Sequence, residues 1–142
     1  GTNVEAREKV ALGSLTSGMA FANAGLGAVH GLSHPLGAIK GIPHGVACAI
    51  LLPWVMEFNI SLREEKFAQI ALALGEGPKG ERAIEKIRKL LEEVGIPSGL
   101  GELQVTTDDL ELLASDARGS SLDNNPRKAS QDELVEILRK AL

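Results

Sequence analysis

The sequence has no tyrosine, one tryptophan and three phenylalanines, so aromatics make up only 3% of its 142 residues. A surface that stacks the bases of single-stranded nucleic acid needs aromatic rings, and there are too few here to build one. Charge of one sign is also lacking. Fifteen Lys and Arg are interleaved with nineteen Asp and Glu, for a net charge of −4, and nothing forms the basic stripe of a nucleic-acid binder. The single cysteine, Cys48, excludes an intrachain disulfide and fits a reducing, cytoplasmic setting. Within the run "VACAILLPWVM" it reads as a small buried hydrophobe. That run, residues 46 to 56, is the longest apolar one and contains Pro53. It falls short of the ~20 residues of a membrane-spanning helix, so no membrane role is expected. The polar start "GTNVEAREKV" carries no secretory leader and no initiator Met, as expected of a processed product or a piece of a longer chain.

What is present is helical periodicity, with no alternating strand pattern. The length suits one domain, residues 1–142, with a single core. The first helix is predicted over Asn3 to Ala24, capped by Thr2 or Asn3. Leu12, Leu15, Met19 and Ala22 recur at steps of three or four, among many small residues. This predicts a buried helix packed closely on its neighbours, with Met19 as core filler. "GLG" at Gly25 to Gly27 ends it. A short helix then carries His30 and His34. Pro43 opens a third helix, His44 to Phe58, apolar nearly all round and therefore central, with Trp54, Met56 and Phe58 in the core. Leu62 to Leu74 reads as an amphipathic helix with Phe67, Ile70, Ala71 and Leu74 on one side. Glu81 to Val94 places Ile84, Ile87, Leu91 and Val94 on one face, pairs Glu85 with Lys89, and stops at Gly95. "TTDD" at Thr106 and "SQDE" at Ser130 are capping-box patterns. Arg127, with Asp123 and Asn125, is expected to hold the loop before the last helix. The fold class is all-α, a bundle of about six or seven helices.

All three histidines lie within residues 30 to 44. His30 and His34 are four apart, so a helix puts both imidazoles on one face. His44 follows a Gly-Ile-Pro break that can fold it back toward the pair. The spacing suits a metal or acid/base site, and equally suits histidines hydrogen-bonded in a core. Three histidines are an incomplete set for a catalytic metal, which commonly has three or four protein ligands. "GLGAVHG" is glycine-rich but spaced GxGxxxG after a helical pattern, and so is not a dinucleotide loop.

The stretch "GMAFANAGLGAVHGLSHPLGAIKGIPHGVACAILLPWVMEFN", Gly18 to Asn59, closely resembles a signature region of the iron-containing (group III) alcohol dehydrogenases. The specific parts are G-L-G-x-V-H-G-x-x-H-P-L-G and P-H-G-V-A-x-A-I-L-L-P. The tail "NNPRKASQDELVEILRKAL" is similar to that family's C-terminal end. The resemblance implies the C-terminal part of a helical domain. An N-terminal α/β domain, absent here, would bind NAD(P). It implies Fe2+ (or Zn2+) held by an aspartate, a histidine four residues later and two further histidines. The last two match His30 and His44, and the first two would lie upstream of Gly1. His34 matches a histidine beside the nicotinamide, in a catalytic proton-relay or positioning role. Phe21 and Leu26 match cofactor- and substrate-pocket positions. The implied reaction interconverts a small primary alcohol and its aldehyde, with the N-terminal domain as partner; a homo-oligomer is among the arrangements allowed. With two of four ligands, the chain alone is expected to be inactive. The alternative is a non-catalytic helical interaction or oligomerisation module derived from the same fold.

Overall fold

Local capping and glycine signals set most of the boundaries. A computed structural model describes all 142 residues and contains seven α-helices and no strand. The Asn3 side chain accepts from Ala6 N at 3.0 Å and starts α1, Val4–Ala24. Gly25, at φ 76°, ends it; a side chain there is excluded twice over, since a Cβ would sit 2.7 Å from Asn124 Nδ2. After a three-residue break α2 runs Ala28–Lys40, and after another three-residue break α3 runs His44–Ala73. The chain continues through α4 (Gly80–Glu93), two short 3-10 turns (Leu100–Leu103 and Thr107–Asp109), α5 (Leu110–Asp116), α6 (Ser120–Asp123) and α7 (Gln131–Lys140).

The expected third and fourth helices are one element. α3 continues through residues 59–62 and kinks at Arg63, where the backbone leaves helical geometry (φ −144°, ψ 32°). Pro53 lies inside it without ending it. By length and composition α3 is the one helix that could cross a bilayer. In this fold its Ala47, Ile50, Leu51 and Val55 are core residues instead, packed with Leu32 and Leu36 of α2, Leu113 of α5 and Leu138 of α7. A smaller cluster joins Met56 and Ala71 of α3 to Ala83 and Ile84 of α4. Trp54 and Phe58 pack at the edge of the core, each under a guanidinium: Arg88 lies 4.4 Å from the Trp54 ring centre and Arg127 4.0 Å from that of Phe58.

Several expectations are corrected. α1 has no buried residue. Leu12, Leu15 and Met19 are more than 60% exposed, so Met19 is not core filler. The stripe of small residues that promised close packing has no neighbour in this chain to meet it. Ile70 and Val94 are exposed, each near the end of its helix where no second layer follows. Glu85 pairs with Arg82 at 2.8 Å, and Lys89 with Glu93 at 3.8 Å, in place of the Glu85–Lys89 pair. Both capping boxes form; the one at Thr106 opens a 3-10 turn that runs into α5. Lys40, at the end of α2, meets the Asp109 carboxylate of that box at 2.9 Å, tying α2 to α5.

A histidine and cysteine cluster at an apolar cleft

The geometry of the site begins with how α2 and α3 are held. Gly27 precedes α2 and has no side chain to cap it. The cap comes from elsewhere in the chain: Ala28 N donates to Asn125 Oδ1 at 3.1 Å. Asn125 is buried and faces Asn59 of α3 amide to amide. Asn59 Nδ2 donates to Asn125 Oδ1 at 3.1 Å, and Asn125 Nδ2 donates to Asn59 Oδ1 at 2.8 Å and to the Arg127 carbonyl at 2.7 Å. Asn124 Nδ2 donates to the carbonyls of Ala24 and Leu26, pinning the α1–α2 junction. Arg127 holds the loop as expected, reaching the Phe58 carbonyl at 3.2 Å and Glu133 at 2.5 Å. The loop of residues 124–127 thus fastens the start of α2 to the side of α3. A second close approach is at Gly31, where a Cβ would lie 2.7 Å from Leu122 Cδ2 of α6 and force that side chain to move, so the glycine lets Leu122 sit against the turn that carries His30.

With those helices fixed, the histidines converge. The ring centres of His30 and His44 are 5.3 Å apart. His34 stacks on His44 with ring centres 5.9 Å apart, on the exposed side. His30 is the more enclosed, and its imidazole is held below the ordinary histidine pKa, first by burial and then by the positive charge His44 and His34 would carry. Enclosure thus favours the neutral ring, the form with a free lone pair. Ser33 Oγ lies 3.0 Å from the His30 carbonyl and 3.3 Å from His44 Nδ1.

Cys48 is not the buried hydrophobe its apolar run suggested. It is half-buried, its Sγ is 3.5 Å from His44 Nε2, and burial pushes its thiol pKa up. One ligand atom from each of His30, His44 and Cys48 lies within 4.8 Å of the other two. The signal was in the sequence: Cys48 is four residues after His44, one helical turn away. Two imidazoles and a sulfur form a donor set that fits a borderline or soft divalent ion such as zinc or ferrous iron.

His30 and Cys48 line a cleft of about 530 Å³ together with Leu26, Leu52, Met56 and Asn59. Leu26 is thus on the cleft wall. Phe21 is half-exposed on α1 and is not part of that wall, and His34 stands outside it. Asn59 and Asn125, which also line the cleft, carry no local pattern that marks them for this role.

The fold and cleft define an all-helical domain with imidazoles from two helices gathered at an apolar hollow. The model of the Fe-containing alcohol dehydrogenase family, C-terminal part, matches residues 1–142. The chain belongs to that family. It is 43% identical to the 1,3-propanediol dehydrogenase of Citrobacter freundii, over 99% of this chain and 38% of that protein. It is 41% identical to the lactaldehyde reductase of Escherichia coli (strain K12), over 96% of this chain and 38% of that protein. It is 38% identical to the NAD-dependent methanol dehydrogenase of Bacillus methanolicus, over 100% of this chain and 39% of that protein. Among solved structures, a 1,3-propanediol oxidoreductase superposes with a TM-score of 0.96 at 42% identity, over 99% of this chain and 39% of that one. An alcohol dehydrogenase from Oenococcus oeni gives 0.93 at 36% identity, with the same coverage. The chain therefore spans less than two-fifths of the relatives it matches.

Proposed function

We propose that this chain supplies the metal-holding part of an NAD(P)-dependent alcohol dehydrogenase or aldehyde reductase acting on a small primary alcohol or its aldehyde. The observation that carries the reading is the convergence of His30 and His44, from two helices, beside an apolar cleft in a chain of this family. The two imidazoles would hold Fe2+ or Zn2+. When bound, such an ion supplies Lewis acidity that lowers the pKa of an alcohol hydroxyl. His30 serves as a ligand because its ring converges with that of His44, and its enclosure favours the neutral form that offers a lone pair. Leu26, Leu52 and Met56 keep water from the alkyl part of the alcohol. His34, stacked on His44 at the exposed edge, is placed to orient substrate or pass a proton between cleft and solvent. Leu26 and Phe21 would face the nicotinamide. The nucleotide would be held mainly by an N-terminal α/β domain. A cytoplasmic setting belongs to the same proposal, on the strength of the single free cysteine.

The experiment is a chimera. The C-terminal segment of the Citrobacter freundii 1,3-propanediol dehydrogenase that aligns with residues 1–142 is replaced by this chain, and alcohol-dependent NAD(P) reduction is followed. Activity in the chimera, lost in His30→Ala and in His44→Ala and lacking in the 142-residue chain alone, is the expected result. A folded, metal-loaded chimera without activity, or turnover by the chain alone, contradicts it.

A further inference from the structure

Cys48 adds a third donor to the histidine pair. It stands one turn from His44 on α3, and its Sγ is 3.5 Å from His44 Nε2. Around a tetrahedral ion, with metal–nitrogen bonds of ~2.05 Å and metal–sulfur bonds of ~2.3 Å, adjoining nitrogen and sulfur ligands are separated by ~3.5 Å. The His44–Cys48 pair already has that separation. His30 completes the triangle, with all three ligand atoms within 4.8 Å of one another.

The neighbouring hydroxyl favours one tautomer of His44. The His30 carbonyl can only accept, so the Ser33 hydroxyl, 3.0 Å away, donates to it. Ser33 Oγ then accepts from His44 Nδ1–H at 3.3 Å. That leaves the lone pair of His44 on Nε2, the nitrogen that faces Cys48. A ligand histidine whose other ring N–H is held by a neighbouring acceptor is the ordinary arrangement around bound metals.

We propose that the chain carries a three-donor site for a thiophilic divalent cation, in which the Cys48 sulfur joins His30 and His44. This rests on the reading of those two histidines as ligands given above. Binding forms a metal–sulfur bond and releases the thiol proton to solvent, with no change of oxidation state. A thiolate in the set shifts preference toward zinc and cobalt, compared with imidazoles and carboxylates alone. It also gives the 142 residues three ligands of their own.

The probe is Co2+, titrated anaerobically into the reduced chain and followed by absorption spectroscopy. The wild type is expected to show visible d–d bands together with a near-ultraviolet sulfur-to-cobalt charge-transfer band. Cys48→Ser and Cys48→Ala, with folding checked by circular dichroism, are expected to lose the charge-transfer band. They should also bind Co2+ about tenfold or more weakly, since one of three donor bonds is gone. Binding without a charge-transfer band, and equally tight in Cys48→Ala, would overturn the role of Cys48 and leave the histidine reading intact. Wild-type binding no tighter than that of a His30→Ala/His44→Ala double variant would overturn both.

Discussion

At the scale of single residues, Asn125 connects the parts that carry the donors. Its carboxamide caps α2 through Ala28 N and pairs with Asn59 on α3. Removing it leaves the Ala28 N–H and both ends of the Asn59 amide without partners in a buried place. Each orphaned group costs about 1–3 kcal/mol, so Asn125→Ala is expected to lower unfolding stability by about 3 kcal/mol or more in urea denaturation. Asn125→Asp is no rescue, because a carboxylate cannot donate to Asn59 Oδ1 or to the Arg127 carbonyl. A loss under about 0.5 kcal/mol for Asn125→Ala, the range of ordinary surface changes, would contradict this account. Nothing local in "NNPR" predicts the link, since its partners lie 97 and 66 residues away. The histidine cluster was legible because its spacing is helical and its members are close in sequence. A cysteine in an apolar run looks the same whether it faces core or cleft, so that run by itself does not mark the half-buried Cys48 as a neighbour of His44.

Two carboxylates give the residue scale a pH signature. Glu133 is held below the usual carboxylate range, first by the Ser130 backbone N–H of its capping box and also by the Arg127 charge. Asp109 is held down first by Lys40 and then by the Thr106 backbone N–H. A carboxylate with a depressed folded-state pKa binds its proton more readily in the unfolded chain. Its stabilisation is complete above the unfolded value, about 4, and is lost as pH falls through the lower folded value. The urea midpoint should therefore fall between about pH 5 and pH 2.5, and fall less steeply in Glu133→Gln. A midpoint unchanged over that range would contradict these assignments.

At the scale of elements, the caps were legible and the burial of α1 was not. A capping box is complete within four residues, so "SQDE" and "TTDD" specify their turns without help from the rest of the fold. The stripe of Gly, Ala and Ser along α1 promises a close neighbour, yet such a stripe reads alike whether or not the neighbour is present. Leu12, Leu15 and Met19 face outward along a helix that buries none of its residues. Helices in proteins gain most of their stability from tertiary packing, and α1 buries none of its residues, so it is expected to open locally far more often than the core. Native-state amide hydrogen exchange should show protection in α2, the first half of α3 and α7 near the global stability, with α1 exchanging orders of magnitude faster. Equal protection in α1 and α3 would show that α1 has found a partner, such as a second copy of the chain. The continuity of α3 is hidden in the sequence for a different reason. The polar residues after Phe58 suggested a break, but the helix only kinks at Arg63 and carries on to pack Ala71 against α4.

At the scale of the whole molecule, the chain is the C-terminal helical part of its family, and its core and cleft are built from α2, α3, α5 and α7 with the loop of residues 124–127. That the fold is all-α followed from periodicity alone. That His30 and His44 meet also follows from their spacing and from the Gly-Ile-Pro break; the locking of α2 to α3 through Asn125 does not, because its partners are distant in sequence. Whether this convergence holds a metal is decided by crystallising the 142-residue chain with zinc and measuring anomalous scattering at the zinc edge. One strong peak is expected at ~2.0–2.1 Å from a ring nitrogen of His30 and of His44, lost in His30→Ala/His44→Ala. Anomalous peaks confined to surface carboxylates, with none between the two imidazoles, would contradict the metal reading.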